Sequence, residues 1–158
     1  VINILGACGP EENKKQVIEA LTEKLPEIIT SAADLFQFIG SCGSEGNKKQ
    51  VIEFLTANGV LSGKIQNAGE LVQVLGKCGP EENKKQVIEA LKEKLPEIIT
   101  SAADVLNLLG ACGPEENKKQ VIEALTAKLP EIITSSADLF QFLVSCDSDW
   151  NKKQVIVF

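Results

Sequence analysis

The stretch GPEENKKQVIEALKEKLPEIITSAADVLNLLGAC, residues 79–112, is one complete unit of a tandem repeat. Residues 9–42 and 113–146 are close copies, and residues 43–78 are a divergent copy with two extra residues between Phe54 and Asn67. The near-identity indicates recent duplication or consensus construction. The hexapeptide Asn-Lys-Lys-Gln-Val-Ile begins at Asn13, Asn47, Asn83, Asn117 and Asn151. A fixed period of about 20–50 residues is typical of solenoid proteins.

Each unit opens with the pattern of an amphipathic helix. Pro10 is suited to a first helical turn, and Glu11 and Glu12 lie where the helix dipole favours negative charge. We expect this helix to run to about Lys24 and to be ended or kinked by Pro26, which lacks an amide donor. One apolar stripe follows the helical spacing and comprises Val17, Ile18, Leu21 and Leu25.

A second, shorter helix follows in each unit. Ser31 and Asp34 have the spacing of a capping box, as do Asn67 and Glu70 in the divergent copy. This helix is apolar nearly all round, so we expect it to be the buried partner of the first. We expect this helix to end at a glycine, which is Gly40, Gly76 or Gly110 in three of the units. The fourth unit has Val144 at the matching position and is the exception.

The fold class that follows is an all-α solenoid. A helical hairpin of this kind leaves apolar surface uncovered, and stacking against neighbouring hairpins covers it. The sequence therefore predicts a single α-solenoid over 1–158. Its expected units are 1–8 (partial), 9–42, 43–78, 79–112, 113–146 and 147–158 (partial). Neither end has the polar outer face of a capping repeat, which leaves two explanations: further repeats beyond the ends, or end-to-end stacking between molecules.

Composition restricts the classes of function. The net charge of −6 disfavours binding to polyanions as a main role, and no apolar run is long enough for a membrane span. Histidine is absent, which excludes triads and metal sites that require it, so we expect no enzyme activity, cofactor or metal. We assign a helix-start role to the Glu11 and Glu12 carboxylates rather than acid–base catalysis.

The five cysteines are predicted to be free, packed thiols. They lie at Cys8, Cys42, Cys78, Cys112 and Cys146. Stacked helices are about 8–10 Å apart, which exceeds the reach of a disulfide. Free thiols favour a reducing, intracellular compartment. We place each thiol at a helix end in acidic surroundings, which do not activate it.

A lysine pair in every unit forms the candidate binding edge. Stacked in register, the pairs would be Lys14 and Lys15, Lys48 and Lys49, Lys84 and Lys85, Lys118 and Lys119, and Lys152 and Lys153. Such an edge could bind phosphates or carboxylates. The alternative is a solvated face on which Glu11, Glu12 and Glu19 neutralise the lysines through helical side-chain pairs.

Trp150 is a candidate end contact. It either covers an open end of the core or anchors a partner.

Two families of helical repeats share parts of this pattern. The run Leu75-Gly-Lys-Cys-Gly-Pro-Glu-Glu82 resembles the step between helices in pentatricopeptide and octotricopeptide repeats, which bind RNA. The Lys15-Gln16 step, with Glu19 and then Leu25-Pro26, is similar to TAL-effector-type DNA-binding repeats. Both resemblances imply an α-solenoid. This chain lacks the Gly-Gly of the TAL type, and no position varies between copies as a base-reading code requires.

The expected function is a non-enzymatic scaffold that binds a protein partner or assembles with itself. Two alternatives remain from the sequence. The first is binding of single-stranded nucleic acid along the lysine edge, and the second is carriage of an apolar ligand or lipid among the apolar short helices.

Overall fold

The structure is a computed structural model that describes residues 2–146, 148, 149, 152 and 153. Within these residues the regular secondary structure is helical throughout. The long helix of each unit is called its A helix, and these are α2 (Glu11–Leu21), α5 (Glu45–Ala57), α8 (Glu81–Leu91) and α11 (Glu115–Leu125). The later helix is its B helix, and these are α1 (Ile2–Ala7), α4 (Ala32–Ser41), α7 (Ala68–Cys78), α10 (Ala102–Cys112) and α13 (Ser136–Ser145).

A short third helix joins A to B in every complete unit. These linking helices are α3 (Leu25–Ile28), α6 (Val60–Lys64), α9 (Leu95–Ile98) and α12 (Leu129–Ile132). The expectation that α2 runs to about Lys24 is wrong, because it ends at Leu21 and a 3₁₀ helix, Thr22–Lys24, follows. Pro26 therefore lies in the first turn of α3, where no amide donor is needed. It helps to start a helix rather than to end one.

The predicted caps of the B helices are confirmed. Ser31 Oγ accepts a hydrogen bond from Asp34 N at 3.1 Å, and Asp34 Oδ2 accepts one from Ser31 N at 3.0 Å. Asn67 Oδ1 likewise accepts one from Glu70 N at 3.0 Å. The bonds between Ser31 and Asp34 are reciprocal, as a capping box requires, whereas the Glu70 carboxylate accepts from Gln66 N at 2.7 Å. All of these bonds satisfy backbone donors that a helix start leaves without partners.

The predicted glycine stop is wrong by three residues in each unit. Gly40 lies inside α4, and the matching glycines of α7 and α10 are also helical. The glycines that follow these B helices are Gly43, Gly79 and Gly113, with φ of +79°, +79° and +82°. A residue with a side chain would be strained at such a φ, which is why glycine occupies these positions. The chain reverses there between one unit and the next.

Like helices stack on like helices along the array. The A helices α2, α5, α8 and α11 pack in succession, and so do the B helices α1, α4, α7, α10 and α13. Together they form two helical layers. The predicted apolar stripe lies between the layers, and in α8 and α9 it is fully buried at Val87, Ile88, Leu91 and Leu95. One continuous core therefore runs through successive units, as expected of an α-solenoid. None of the helices in the described part of the chain is long and apolar enough to cross a membrane.

Candidate functional site

The lysine pairs divide into two structural roles. The first lysine of each pair is half-buried at the junction with the next unit. Lys14 Nζ is 3.1 Å from Glu11 Oε1, and Lys84 Nζ is 3.2 Å from Glu81 Oε1. Lys118 Nζ donates to the Ser145 carbonyl oxygen at 3.2 Å, at the end of α13. The Lys14 and Lys84 ammonium groups therefore pair within their own helices, and Lys118 joins α11 to the end of α13.

Lys48 has a related position, because its side chain lies against Gly79 of the following unit. A Cβ added at Gly79 would be 3.6 Å from both Lys48 Cδ and Lys48 Nζ. The corresponding lysine near the C-terminal end of the described residues, Lys152, is half-buried as well.

The second lysines lie farther out on the A helices. Lys15, Lys49 and Lys153 are exposed, and Lys85 and Lys119 are half-buried. Lys49 Nζ is 3.9 Å from Glu53 Oε1, with both side chains about half exposed. The structure thus separates each pair and places carboxylates among the lysines, so helical side-chain pairs of the neutralising kind are present along the candidate edge.

Glu11 makes a contact between units that the sequence reading missed. Its Oε2 accepts hydrogen bonds from Ser44 N at 2.6 Å and from Asn47 Nδ2 at 3.4 Å, beside Gly43. The Ser44 amide and then Lys14 lower the pKa of the Glu11 carboxyl. Glu115 Oε1 accepts the matching bond from Ser148 N at 3.1 Å. A first-turn glutamate therefore joins its own unit to the loop of the next.

The asparagine of each Asn-Lys-Lys-Gln step is a second contact that was missed. Asn47, Asn83 and Asn117 are buried, and each side-chain amide donates to the carbonyl oxygen of the preceding cysteine. Asn117 Nδ2 also donates to the Glu81 carbonyl oxygen in the preceding unit, at 3.3 Å. The signal available in the sequence was an asparagine at the third position of every A helix, where a polar side chain has no helical advantage.

A third set of contacts ties the linking helices together. Lys94 Nζ donates to the Ser62 carbonyl oxygen, and Lys128 Nζ donates to the Pro96 carbonyl oxygen. In both cases the acceptor lies in the preceding unit. These bonds satisfy carbonyl groups that a one-turn helix leaves without partners.

The cysteines are free, as predicted, and four of the five are buried; Cys8 is half-buried. The thiols of Cys42 and Cys78 donate to the carbonyl oxygens four residues earlier, at 3.2 and 3.1 Å. Burial raises the pKa of the Cys42, Cys78 and Cys112 thiols to about 12. The prediction that the thiols lie in acidic surroundings is wrong, because the charged groups near Cys78 are Lys48 and Lys84. Their effect opposes burial and is smaller.

An open groove of about 480 Å³ lies across α5, α8 and α11 in the A-helix layer. We call it the A-helix groove. It is lined by Glu53, Thr56, Ala57, Glu82, Lys85, Gln86, Glu89, Ala90 and Gln120. Three buried polar atoms of this lining have no hydrogen-bond partner among the described residues: Thr56 Oγ1, Gln86 Oε1 and Gln120 Oε1.

The last described B helix, α13, has an uncovered apolar side. Leu139 is 38% exposed, whereas its counterpart Val105 in α10 is 1% exposed. Phe140 and Val144 are 68% and 66% exposed. The prediction that the B helix is the buried partner of its hairpin therefore fails on this side of α13. Trp150, the predicted end contact, lies outside the described residues.

The fold and these contacts define the class of protein as an all-α repeat solenoid whose units are joined by side-chain to backbone hydrogen bonds. No protein-family model, curated protein or solved structure matches the chain significantly. In the described part of the chain, no group of three or more His, Cys, Asp or Glu side chains is arranged to hold a metal ion.

Proposed function

We propose that this protein is a non-enzymatic repeat scaffold that binds a protein partner through its A-helix layer. The A-helix groove carries the proposal, because it combines a small-residue floor, charged edges and buried polar atoms that lack partners. Buried polar groups in folded proteins nearly always have hydrogen-bond partners, so unpaired ones in a surface groove favour a binding role. Interfaces between proteins commonly join an apolar centre to a polar rim.

The non-enzymatic part rests on how the reactive side-chain types are used. The thiols of Cys42, Cys78 and Cys112 are buried, and their raised pKa keeps them protonated near neutral pH. The Glu11 carboxylate accepts backbone and side-chain hydrogen bonds from the next unit. These groups therefore support a structural role.

The test is a selection of displayed peptides on the purified chain, followed by direct binding measurements on the selected peptides. Saturable binding at physiological salt supports the proposal. The proposal fails if the chain binds no selected peptide but binds single-stranded oligonucleotides tightly, with a steep loss of affinity as the salt concentration rises. That outcome would favour the nucleic-acid function that the repeat resemblances suggest.

The oligonucleotide arm has its own control in the lysine pairs. A chain with Lys84, Lys85, Lys118 and Lys119 all replaced by Ala should lose any binding that depends on phosphate contacts along this edge. Unchanged oligonucleotide binding in this variant would remove the lysine edge as its cause. Loss of peptide binding by the same variant, with its helicity intact, would instead place the peptide on that edge.

Self-association is the second candidate function, and the exposed apolar side of α13 favours it. Contiguous exposed apolar residues are typical of interaction surfaces. Sedimentation equilibrium over a range of concentrations tests it. We expect Phe140→Ser to lower the association constant and Gln141→Ser, an exposed neighbour on the same helix, to leave it unchanged. A monomer at all concentrations would remove this candidate.

A further inference from the structure

The A-helix groove has the chemistry of a site for a basic, amphipathic segment of a partner protein. We infer that the occupant places an apolar side chain on the groove floor and Lys or Arg side chains against the carboxylates at its edges. This inference rests on the proposed scaffold function and names the partner segment.

The divergent second unit contributes Ala57 to the floor of the groove. Ala57 occupies the position that is glutamate in the units on either side, Glu23 and Glu93. Ala57 and Ala90 line the groove together, on α5 and α8. Two methyl side chains leave room where longer chains would fill the space between the helices. The resulting volume of about 480 Å³ is large enough to admit an apolar side chain from outside.

The charges around the floor favour a cationic occupant. Three carboxylates line the groove, on Glu53, Glu82 and Glu89, against one ammonium group, on Lys85. The Lys49 ammonium is 3.9 Å from Glu53 on an exposed surface, where such a pair contributes little. The whole chain is also negative, with a net charge of −6, so the long-range field attracts a basic segment as well.

The unpaired polar atoms favour an occupant that donates hydrogen bonds. Gln86 Oε1 and Gln120 Oε1 are acceptors, and they belong to equivalent positions of successive A helices. Lys and Arg side chains carry several donors and no acceptor, so they match these two oxygens chemically. Because both oxygens are buried, such a donor reaches them only when the glutamine side chain turns toward the groove. An acidic segment would meet carboxylates and acceptors with groups of the same kind.

The experiment uses three fluorescent synthetic peptides of equal length and the intact chain. The basic peptide has Lys and Leu at helical spacing, the acidic peptide has Glu in place of each Lys, and the polar peptide has Ser in place of each Leu. Fluorescence anisotropy should show binding of the basic peptide, and much weaker binding of the other two. Equal binding of the acidic peptide would overturn the charge argument, and equal binding of the polar peptide would overturn the apolar one.

Substitutions locate the binding site. The double variant Glu53→Gln, Glu89→Gln should weaken binding of the basic peptide about fivefold, which is about 1 kcal/mol for the two exposed charge pairs together. The matched control is Glu19→Gln, the equivalent position on α2, which does not line the groove. Gln86→Met should also weaken binding several-fold, whereas Gln16→Met, at the equivalent exposed position, should not. Circular dichroism confirms that each variant is folded.

Failure of this inference is separable from failure of the scaffold function. If selected peptides bind the chain, but neither compete with the basic peptide nor respond to the Glu53 and Glu89 substitutions, the scaffold function stands and the inference about the groove is overturned. If no selected peptide and no basic peptide binds, both are overturned. The same loss in the Glu19→Gln control as in the groove variant would also overturn the inference, because it would indicate a general charge effect.

Discussion

Removal of a buried asparagine amide should destabilise the chain far more than removal of its exposed counterpart. Asn117 is 1% exposed, and its Nδ2 donates to the Cys112 and Glu81 carbonyl oxygens at 3.0 and 3.3 Å. Asn117→Ala leaves both carbonyls without this donor in a buried place. Each loss is worth about 1–2 kcal/mol. Alanine recovers up to about 0.7 kcal/mol through its higher helix propensity. The expected net loss is about 2 kcal/mol.

Asn13 and Asn83 supply matched controls within the same hexapeptide. Asn13 is exposed, and its amide makes the equivalent bond to the Cys8 carbonyl oxygen at 3.1 Å. Water can replace that bond, so Asn13→Ala should change stability by less than about 0.5 kcal/mol. Asn83 is buried in an inner unit and makes one such bond, to the Cys78 carbonyl oxygen at 3.0 Å. The loss of stability in Asn83→Ala should therefore lie between the losses in Asn13→Ala and Asn117→Ala.

Urea unfolding followed by far-ultraviolet circular dichroism measures these differences. With a slope of about 2 kcal/mol per M, a loss of about 2 kcal/mol lowers the midpoint by about 1 M for Asn117→Ala, with the slope unchanged. The reasoning is refuted if Asn117→Ala and Asn13→Ala have the same midpoint. In that case the buried asparagine bonds do not hold neighbouring units together.

The remaining predictions concern glycines, thiols and the two phenylalanines of α13. Gly113→Ala should destabilise by about 1–2 kcal/mol, because φ is +82° and the new Cβ would meet the Glu81 carboxylate; helical Gly110→Ala, with open space around it, should stabilise by about 0.5–1 kcal/mol. These two predictions are contradicted if the urea midpoints of Gly113→Ala and Gly110→Ala shift in the same direction. Thiol titration of the native chain near neutral pH should modify Cys8 fastest, and equal rates at Cys42 would contradict its burial. Because the folded pKa of Cys42, Cys78 and Cys112 is raised from 9.0 to about 12, the unfolded chain ionises first, so stability contributed by these thiols should fall as pH rises above about 9. A flat pH dependence over that range would count against it. Phe142→Ala should cost about 3–5 kcal/mol because the ring is buried, whereas Phe140→Ser should leave the melting temperature nearly unchanged; similar losses would contradict the exposure of Phe140.

Local sequence signals were sufficient to predict the repeat, the two principal helices and the caps of the B helices. The Ser31 and Asp34 spacing, for example, is a short-range pattern, and its hydrogen bonds form within one unit. The linking helix was missed because Pro26 indicates a break without showing that a new helix begins beside it. Gly40 and Gly43 compete for the same role, and only the backbone shows which one has a positive φ.

The candidate site was less predictable because its chemistry depends on neighbouring units. The lysine pairs were recognised from the sequence, but their separation into junction and surface positions depends on the stacking geometry. The contact from Glu11 to Ser44 joins residues 33 positions apart and has no local pattern. The A-helix groove depends on Ala57, where the units on either side have glutamate, lying next to an alanine of α8.

The most direct test of the central claim, that each unit packs only beside its neighbours in one continuous stack, is a methyl NOE map. On a sample with labelled Ile, Leu and Val methyl groups, we expect NOEs between α4 and α7 and between α7 and α10, because these B helices pack together. No NOEs are expected between α4 and α10, since successive stacked helices are about 8–10 Å apart. Strong NOEs between α4 and α10, or none between α4 and α7, would contradict the solenoid.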